Sequence, residues 1–407
     1  MSSAQVPGAA PAEAPEPFSS GRLGPITLRN RTIKSATYEG MSRRGEVTDR
    51  LIEFHRRPAA GGVGMSTVAY CAVSPDGRTS KHQILMADAA LPGLRKLTDA
   101  IHAEGAAAAA QLGHAGPVAD PRGNKTPAIA PSRHVNRTGF TIARQATLGD
   151  LRRVVADHGR AARLAVEAGF DAVEIHLGHN YLASAFLSPR LNRRDDDYGG
   201  RLENRARLAR EIARAVRDAV GDRIAITAKL NMDDGVRGGF WLDEAMQVAR
   251  WLEADGSLDA LMPTAGSSLL NPMYLFKGDA PVDEFAEVMP PAIRLGVRTV
   301  GRRILREYPY HDGYLLEDAR QIRDAISLPM ILVGGVTDKA TMDRAMAHGF
   351  GFVAMARALL REPDLVDRIR RDPSARSLCI HCNKCMPTNF TGTHCVLATE
   401  AQGGPIS

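Results

Sequence analysis

The stretch with the most evident chemistry is a pair of histidines and a tyrosine directly after an apolar run. His176, His179 and Tyr181 follow residues 172–175, which have the composition of a short buried strand. Two imidazoles can donate hydrogen bonds to one oxygen atom, and a nearby phenol can give up a proton. The spacing therefore suits a reaction in which an oxygen gains negative charge while a neighbouring carbon is protonated. The alternative is a pair of structural histidines packed in a turn.

Other residues with binding chemistry also follow apolar runs. Gln111 ends one run with an amide that donates and accepts at once, which suits the edge of a pyrimidine-like ring. Lys229 ends another run with a positive charge. Gly334 and Gly335 follow a third run and Arg357 a fourth, and glycine backbone with an arginine fork suits a phosphate. The alternatives are a plain turn for the glycines and a surface salt bridge for Lys229.

The elements that must position these residues are eight apolar runs alternating with amphipathic segments. The predicted strands span residues 32–36, 64–69, 106–112, 172–175, 224–230, 260–262, 330–333 and 352–355. Eight strand–helix units in a row predict an α/β fold, a parallel (β/α)8 TIM barrel, whose ligands bind at the carboxyl ends of the strands. A doubly wound open sheet is the alternative, although no Gly-x-Gly-x-x-Gly follows the first strand.

Composition and charge narrow the class of protein. The 407 residues suffice for one large barrel with extensions, and the net charge of +6 is scattered rather than gathered into a nucleic-acid patch. No apolar stretch is long enough to span a membrane. Residues 1–17 lack the basic start and apolar core of a signal peptide, so we expect a disordered tail and a cytoplasmic protein. The barrel is then expected over residues 18–370 and a C-terminal tail over 371–407.

A long insertion after the sixth predicted strand spans residues 263–313. It is far longer than the usual loop of such barrels, and structureless loops of that length are uncommon unless functional. It contains several methionines, prolines and aromatic residues, and 291–305 could form short helices. We expect a lid over the pocket that favours bulky apolar substrates. The alternative is a subunit interface of a homo-oligomer.

Four cysteines crowd into the tail as Cys379, Cys382, Cys385 and Cys395. A disulfide scaffold does not suit a cytoplasmic chain of this size. Four thiolates at this spacing could ligate an iron–sulfur cluster or zinc. A packed tail without metal is the alternative interpretation, and if metal is present we favour iron–sulfur.

The chain resembles the old yellow enzyme family of FMN oxidoreductases over residues 24–363, in particular its 2,4-dienoyl-CoA-reductase-like branch. The most specific block is the stretch from Phe186 to Arg205, Phe-Leu-Ser-Pro-Arg-Leu-Asn-Arg-Arg-Asp-Asp-Asp-Tyr-Gly-Gly-Arg-Leu-Glu-Asn-Arg. Glu-Ile-His-Leu-Gly-His-Asn-Tyr precedes it at 174–181, and Gln-Leu-Gly-His-Ala-Gly lies at 111–116. Long relatives carry a four-cysteine motif for a [4Fe–4S] cluster, with wider spacing, and continue into a second, pyridine-nucleotide domain.

The resemblance implies an FMN over the barrel mouth, reduced by NAD(P)H, and an α,β-unsaturated carbonyl compound as the substrate of an ene-reductase. His176 and His179 would bind the carbonyl oxygen, and Tyr181 would protonate the substrate carbon. By matching position, the flavin would be held by Ala36, Thr37, Tyr70, Gln111, Lys229, Gly334, Gly335, Ala356 and Arg357. Tyr38 departs from the family pattern, where a threonine or cysteine is usual near the flavin C4 carbonyl.

Two other classes of function remain as alternatives. One is a flavin-binding protein without turnover. The other is a non-redox barrel enzyme such as a metal hydrolase, in which His176 and His179 would be ligands. No carboxylate completes a facial set with them in the sequence.

Overall fold

The computed structural model describes residues 14–136 and 141–399, and its centre is a barrel of eight parallel strands. We number the barrel strands β1 to β8 in chain order: Thr32–Lys34, Met65–Ala72, Ala107–Gly113, Ala172–Leu177, Ala225–Asp233, Ala260–Ala265, Ile331–Val333 and Phe352–Met355. The prediction of a (β/α)8 barrel is confirmed. Strand ends differ from the predicted ones by up to three residues, because hydrogen bonding to the neighbouring strands decides where a strand stops.

The strand order in the sheet is β6-β5-β4-β3-β2-β1-β8-β7, and every pairing in it is parallel. A parallel bridge between Leu261 and Met330 joins β6 to the start of β7 and closes the barrel. The register places His176 beside Lys229 and Glu174 beside Gln111. Three neighbouring strands thus bring these four polar side chains to one region.

Eight helices follow the strands and cover the barrel. They are α1 to α8: Asp49–Ala60, Leu91–Ala103, Leu148–Glu167, Leu202–Val220, Leu242–Ala254, Leu316–Ala325, Lys339–Ala347 and Leu365–Arg371. Each buries one apolar face against the strands, which is the pattern that the sequence shows. The start of α3 is fixed by a capping box, in which Thr147 and Asp150 bond each other's backbone N–H groups.

A hairpin closes the amino end of the barrel. Its strands are Gly21–Leu23 and Ile26–Leu28, joined through Gly24 at φ +53°. Leu23 and Leu28 are buried against the interior residues of the strands. The open end is therefore the carboxyl end. Residues 1–13 of the predicted disordered tail lie outside the described residues, whereas the Pro17 carbonyl accepts a hydrogen bond from the Arg31 N–H.

Two long segments between barrel strands contain regular structure of their own. Residues 117–145 hold the helix Pro121–Asn124 and a small sheet of Ile129–Ala130, His134–Asn136 and Thr141–Gln145, with 137–140 outside the described residues. The insertion after β6 holds the helices Pro272–Phe276, Val282–Val288 and Pro291–Ile304. Two further pieces are the helix Leu182–Leu187 after β4 and the helix Arg357–Arg361 after β8. Among the described residues, no helix is both long and apolar enough to cross a membrane.

Candidate functional site

A cavity of about 1930 Å³ lies at the carboxyl ends of the strands. It is lined by residues from nearly every strand end and by the segments that follow them. The predicted site residues among them are Ala36, Thr37, Tyr70, Gln111, His176, His179, Tyr181, Lys229, Gly334, Ala356 and Arg357. Gly335, the remaining predicted flavin residue, packs against Gly313 next to this set. The structure thus gathers residues that are up to 321 positions apart in the sequence (36 to 357).

The two predicted histidines and the tyrosine converge on one wall of the cavity. The ring centroids of His176 and His179 are 5.2 Å apart, and those of His176 and Tyr181 are 4.6 Å apart. Tyr70 lies 5.1 Å from Tyr181 by the same measure and completes the cluster. An oxygen atom held between the two imidazoles would therefore lie close to the phenol.

A strained turn after β4 produces this convergence. His179 and Asn180 both adopt left-handed backbone conformations, at φ +59° and +58°, which side chains rarely accept. Polar contacts hold the turn: the His179 N–H donates to Asn231 Oδ1 over 3.3 Å, and Asn180 Nδ2 donates to Asp234 Oδ1 over 3.0 Å. The turn reverses the chain so that Tyr181 faces His176. Strain at a ligand-binding turn is a common feature of functional sites.

Hydrogen bonds assign a role to each imidazole. The Gly178 N–H donates to His176 Nδ1 over 3.2 Å, so the neutral ring carries its proton on Nε2 and can donate from there. His179 Nε2 lies 2.9 Å from Thr264 Oγ1. If that hydroxyl donates, Nδ1 of His179 carries the proton. Both rings can then donate to a single acceptor.

Burial keeps these groups in the required protonation states. It lowers the pKa of His176 well below the usual range, and the neighbouring His179 and Lys229 lower it further. Burial, with the charge of Lys229, lowers the pKa of His179 to about 3. Burial also raises the pKa of Tyr181 to about 12. At neutral pH the site therefore presents two neutral imidazole donors and one protonated phenol.

Lys229 is part of a buried polar trio at the floor of the cavity. Its Nζ lies 3.1 Å from Glu174 Oε1 and donates to Ser35 Oγ over 3.3 Å. Gln111 Nε2 donates to the same Glu174 oxygen over 2.6 Å. Within residues 14–136 and 141–399 the amide oxygen of Gln111 has no hydrogen-bond donor, so it can accept from a ligand. The carboxylate orients both side chains and offsets part of the lysine charge. The alternative of a surface salt bridge for Lys229 is wrong, since both partners are buried.

Glu174 is a residue whose role was not predicted from the sequence. It lies in β4 on the same face as His176, two residues away, as the alternation of a strand requires. A glutamate within an otherwise apolar buried strand was the available signal, because such a charge needs a partner. Its partners are 55 and 63 residues away in the chain (174 to 229 and 111 to 174), so their identity could not be read from the local sequence.

The opposite end of the cavity has the features of a phosphate site. Gly334 and Gly335 adopt φ of +100° and +78°, and a Cβ on Gly334 would lie 2.8 Å from Leu315 Cγ. Only glycine therefore fits at position 334, and its backbone lines the cavity. Arg357 faces the cavity and donates from Nη1 to the Lys277 carbonyl over 2.9 Å, and also to Asn383 Oδ1.

This donor set fits FMN. The glycine backbone and the Arg357 guanidinium suit a phosphate, while Gln111 and Lys229 suit the polar edge of a flavin ring. Ala36, with its small side chain, and Tyr70 both line the cavity. Tyr38, the departure from the family pattern, also lines the cavity, and its hydroxyl lies 2.6 Å from Ser80 Oγ. The Tyr38 hydroxyl is therefore hydrogen-bonded within the protein.

The insertion after β6 forms one side of the cavity. Its lining residues are mostly apolar: Leu269, Leu270, Pro272, Leu275, Phe276, Phe285, Met289, Ile293 and Val297. Tyr274 anchors the insertion by donating to Asp233 Oδ2 over 2.7 Å. The insertion therefore lies against the cavity, while its action as a lid, or as a subunit interface, stays a prediction.

The C-terminal tail packs over the phosphate end. Asn383 Nδ2 donates to the Asp279 carbonyl over 2.9 Å, and the His381 ring stacks on Tyr310 at 3.3 Å between centroids. Thr393 N–H donates to the Glu39 carbonyl over 2.8 Å. Because Asn383 also accepts from Arg357, the tail joins the insertion to the predicted phosphate residue, a link that the sequence did not predict.

The structure does not show the iron–sulfur or zinc site that the four tail cysteines could form. All four are free thiols, and Cys385 lines the main cavity. Across residues 14–136 and 141–399, no group of three or more His, Cys, Asp or Glu side chains is placed to hold a metal ion. The predicted iron–sulfur site therefore has no support here. In the same part of the chain, His176 and His179 do not belong to such a group.

Comparisons with known proteins give a family, several relatives and a shared fold. Residues 16–261 match the "NADH:flavin oxidoreductase / NADH oxidase family". The chain is 53% identical over 386 residues to a 4,4'-dithiodibutanoate disulfide reductase of Rhodococcus erythropolis, covering 95% of this chain and 96% of the relative. An NADH oxidase of Thermoanaerobacter brockii is 30% identical over 91% of this chain, which spans only 53% of that relative. The old yellow enzyme homologue from Zymomonas mobilis has the same fold, with a TM-score of 0.71, 22% identity, and coverage of 90% of this chain and 96% of its own.

Proposed function

The chain belongs to the NADH:flavin oxidoreductase / NADH oxidase family, the old yellow enzyme family, and we propose that it is an ene-reductase. In this proposal it takes hydride from NAD(P)H and reduces the activated C=C bond of an α,β-unsaturated carbonyl compound. The observation that carries the proposal is the convergence of two neutral imidazoles and a protonated phenol on one cavity wall. FMN, when bound, supplies the hydride transfer that the amino acids cannot perform.

The residues of the chain provide binding, charge stabilisation and a proton. His176 and His179 donate hydrogen bonds to the carbonyl oxygen of the substrate and stabilise the negative charge that develops on it as hydride arrives at Cβ. Tyr181 gives its proton to Cα. The Lys229 charge, oriented by Glu174, favours negative charge at the floor of the cavity. The apolar insertion excludes water and favours bulky apolar enones.

The pKa shifts predict that the rate of substrate reduction by the reduced protein does not depend on pH. The imidazole pKa values lie below the assay range and that of Tyr181 lies above it, so neither type of group titrates between about pH 6 and pH 9. Stopped-flow oxidation of the pre-reduced protein by 2-cyclohexenone should show a constant rate across that range. A rate that changes with a midpoint near the usual histidine value of about 6.5 would contradict the assignment.

The test of the function begins with the cofactor. The purified protein should be yellow, release FMN on denaturation, and oxidise NADH or NADPH in the presence of 2-cyclohexenone. Arg357→Ala should weaken FMN binding by about ten- to a hundredfold, because the phosphate loses a charge-assisted hydrogen bond worth roughly 1.5–3 kcal/mol. Arg361→Ala, on the same short helix but outside the cavity lining, is the matched control.

Two outcomes would overturn these claims. A colourless protein that does not take up added FMN would exclude a flavin enzyme. A yellow protein whose flavin is never reduced by NADH or NADPH would instead support a flavin-binding protein without turnover.

A second candidate reaction is the reduction of an organic disulfide. It is favoured by the 53% identity, over nearly the whole of both chains, to the relative that reduces 4,4'-dithiodibutanoate. Hydride would attack one sulfur, the S–S bond would break, and one added proton would give two thiols. Incubation with NADH and 4,4'-dithiodibutanoate, with released thiol measured, separates the two candidates. Thiol release without enone reduction would favour the disulfide.

A further inference from the structure

Two arginines at the edge of the cavity have no structural role that we can identify. Arg190 follows the helix Leu182–Leu187, and Arg237 lies in the loop after β5; both are exposed. Within residues 14–136 and 141–399, neither guanidinium forms a hydrogen bond or an ion pair. Nearby arginines are engaged: Arg194 pairs with Asp196, and Arg205 with Glu244. What sets Arg190 and Arg237 apart is that both line the recess described next, whereas the exposed Arg193 lines the main cavity alone.

Both arginines line one recess of about 570 Å³, together with Val236, Gly238 and Leu270. Arg190, Val236, Arg237 and Leu270 also line the main cavity, so the recess is continuous with it. A molecule whose reactive part lies in the main cavity can extend into the recess. There it would meet two apolar side chains and two positive charges.

The acidic residues next to this recess in the chain do not neutralise it. Asp234 accepts hydrogen bonds from Asn180, Asn231 and the Phe240 N–H. Asp233 accepts from the Tyr274 hydroxyl and the Gly235 N–H. Within the described residues, neither carboxylate forms an ion pair with Arg190 or Arg237, so both guanidinium groups keep their donors for a ligand in the recess.

We propose that Arg190 and Arg237 form a subsite for a carboxylate at the far end of the substrate. The proposal rests on the proposed function, because it requires that the main cavity holds the reacting group. The guanidinium forks bind the carboxylate oxygens, and Val236 and Leu270 pack against the aliphatic chain that joins them to the reacting group. The substrate class is therefore an aliphatic carboxylic acid that carries the reducible bond some carbons away.

The test compares a charged substrate with its neutral ester. The probes are 6-oxohept-4-enoate, an enone with a terminal carboxylate, and its methyl ester, both with the FMN-loaded full chain. In Arg190→Gln/Arg237→Gln the KM for the carboxylate should rise about ten- to a hundredfold while that for the ester stays unchanged. Arg133→Gln is the matched control, since Arg133 is an exposed arginine that lines the main cavity but not the recess.

Several outcomes would overturn the carboxylate subsite. Equal changes in the KM for the carboxylate and for its ester in the double variant would do so. So would a selective change in the reductive half-reaction with NADPH, which would show that the arginines bind a cofactor phosphate instead.

A binding measurement keeps the subsite testable if the proposed function fails. Calorimetry with the saturated analogue 6-oxoheptanoate should show binding to the wild-type protein and a loss of about ten- to a hundredfold in the double variant, whether or not the enone is turned over. Failure of enone turnover with this binding intact would reject only the ene-reductase. Absence of any difference between the wild-type protein and the double variant would reject the subsite.

Discussion

Replacing His176 or His179 by alanine should slow substrate reduction about a hundredfold or more, with a far smaller effect on flavin reduction by NAD(P)H. In the proposed reaction each ring supplies one preorganised donor to the oxygen on which negative charge develops, and losing such a donor typically costs that factor. The rings are 5.2 Å apart and act on the same atom, so the double variant should fall short of the product of the two single effects. Stopped-flow measurement gives the rate of flavin reduction by NAD(P)H and the rate of substrate reduction separately.

Tyr181→Phe distinguishes proton donation from binding within the same experiment. It removes only the hydroxyl, so substrate affinity should persist while enone reduction slows. His82→Ala is the matched histidine control, because His82 lines the same cavity while its ring contacts the Ser42 carbonyl. Equal slowing of both half-reactions in the His176 and His179 variants would mean that these residues do not act selectively on the oxygen of the enone.

The barrel could be predicted because its signal is local and repeated. Each strand is a short apolar run and each helix an amphipathic one, and eight alternations leave few other folds. The small sheet within 117–145 could not be predicted, since it pairs Ile129–Ala130 with the distant Arg144–Gln145. This pairing depends on where the barrel holds the two ends of the segment 117–145. The paired stretches are themselves too short to be recognised as strands in the sequence.

The placement of the site residues could be predicted, whereas their supporting contacts could not. Strand ends meet at one face of a barrel, so His176, Gln111 and Lys229 were expected together, and the structure brings them together. Glu174 contacts Gln111 and Lys229 because of the register in which β3, β4 and β5 pair. The sequence alone does not determine that register. The contact between Arg357 and Asn383 depends on a tail that crosses the phosphate end of the cavity.

Glu39 belongs to a buried polar cluster with Lys34 and His55. Replacing it in Glu39→Leu should strongly destabilise the fold. Glu39 Oε1 accepts from His55 Nε2 over 3.1 Å and from the Ala69 N–H over 2.7 Å, and it lies 3.9 Å from Lys34 Nζ. Removing the Glu39 oxygens leaves the Lys34 amine, the His55 ring and the Ala69 N–H buried without their shared partner. Breaking a buried pair in this way costs about 3–5 kcal/mol.

The loss of stability in Glu39→Leu should appear as a fall in Tm of roughly 4–6 °C for a chain of this length. Lys34→Met/Glu39→Leu is the control, because removing both charges together replaces the pair by apolar groups and should restore much of the stability. The double variant should therefore be more stable than Glu39→Leu alone. If it is less stable, the pair is not the source of the effect.

The destabilisation in Glu39→Leu should also depend on pH in a defined direction. Burial lowers the pKa of Lys34 to about 8 even with Glu39 beside it, and without that carboxylate the pKa falls further. Between this lowered value and the ordinary lysine value of about 10.4, the unfolded chain binds more protons than the folded chain. The free energy of unfolding of the variant must then rise with pH over that interval. Thermal unfolding followed from about pH 7 to pH 9 should show the variant approaching the wild-type protein as Lys34 loses its charge, whereas Lys34→Met/Glu39→Leu lacks this group and should not show that trend.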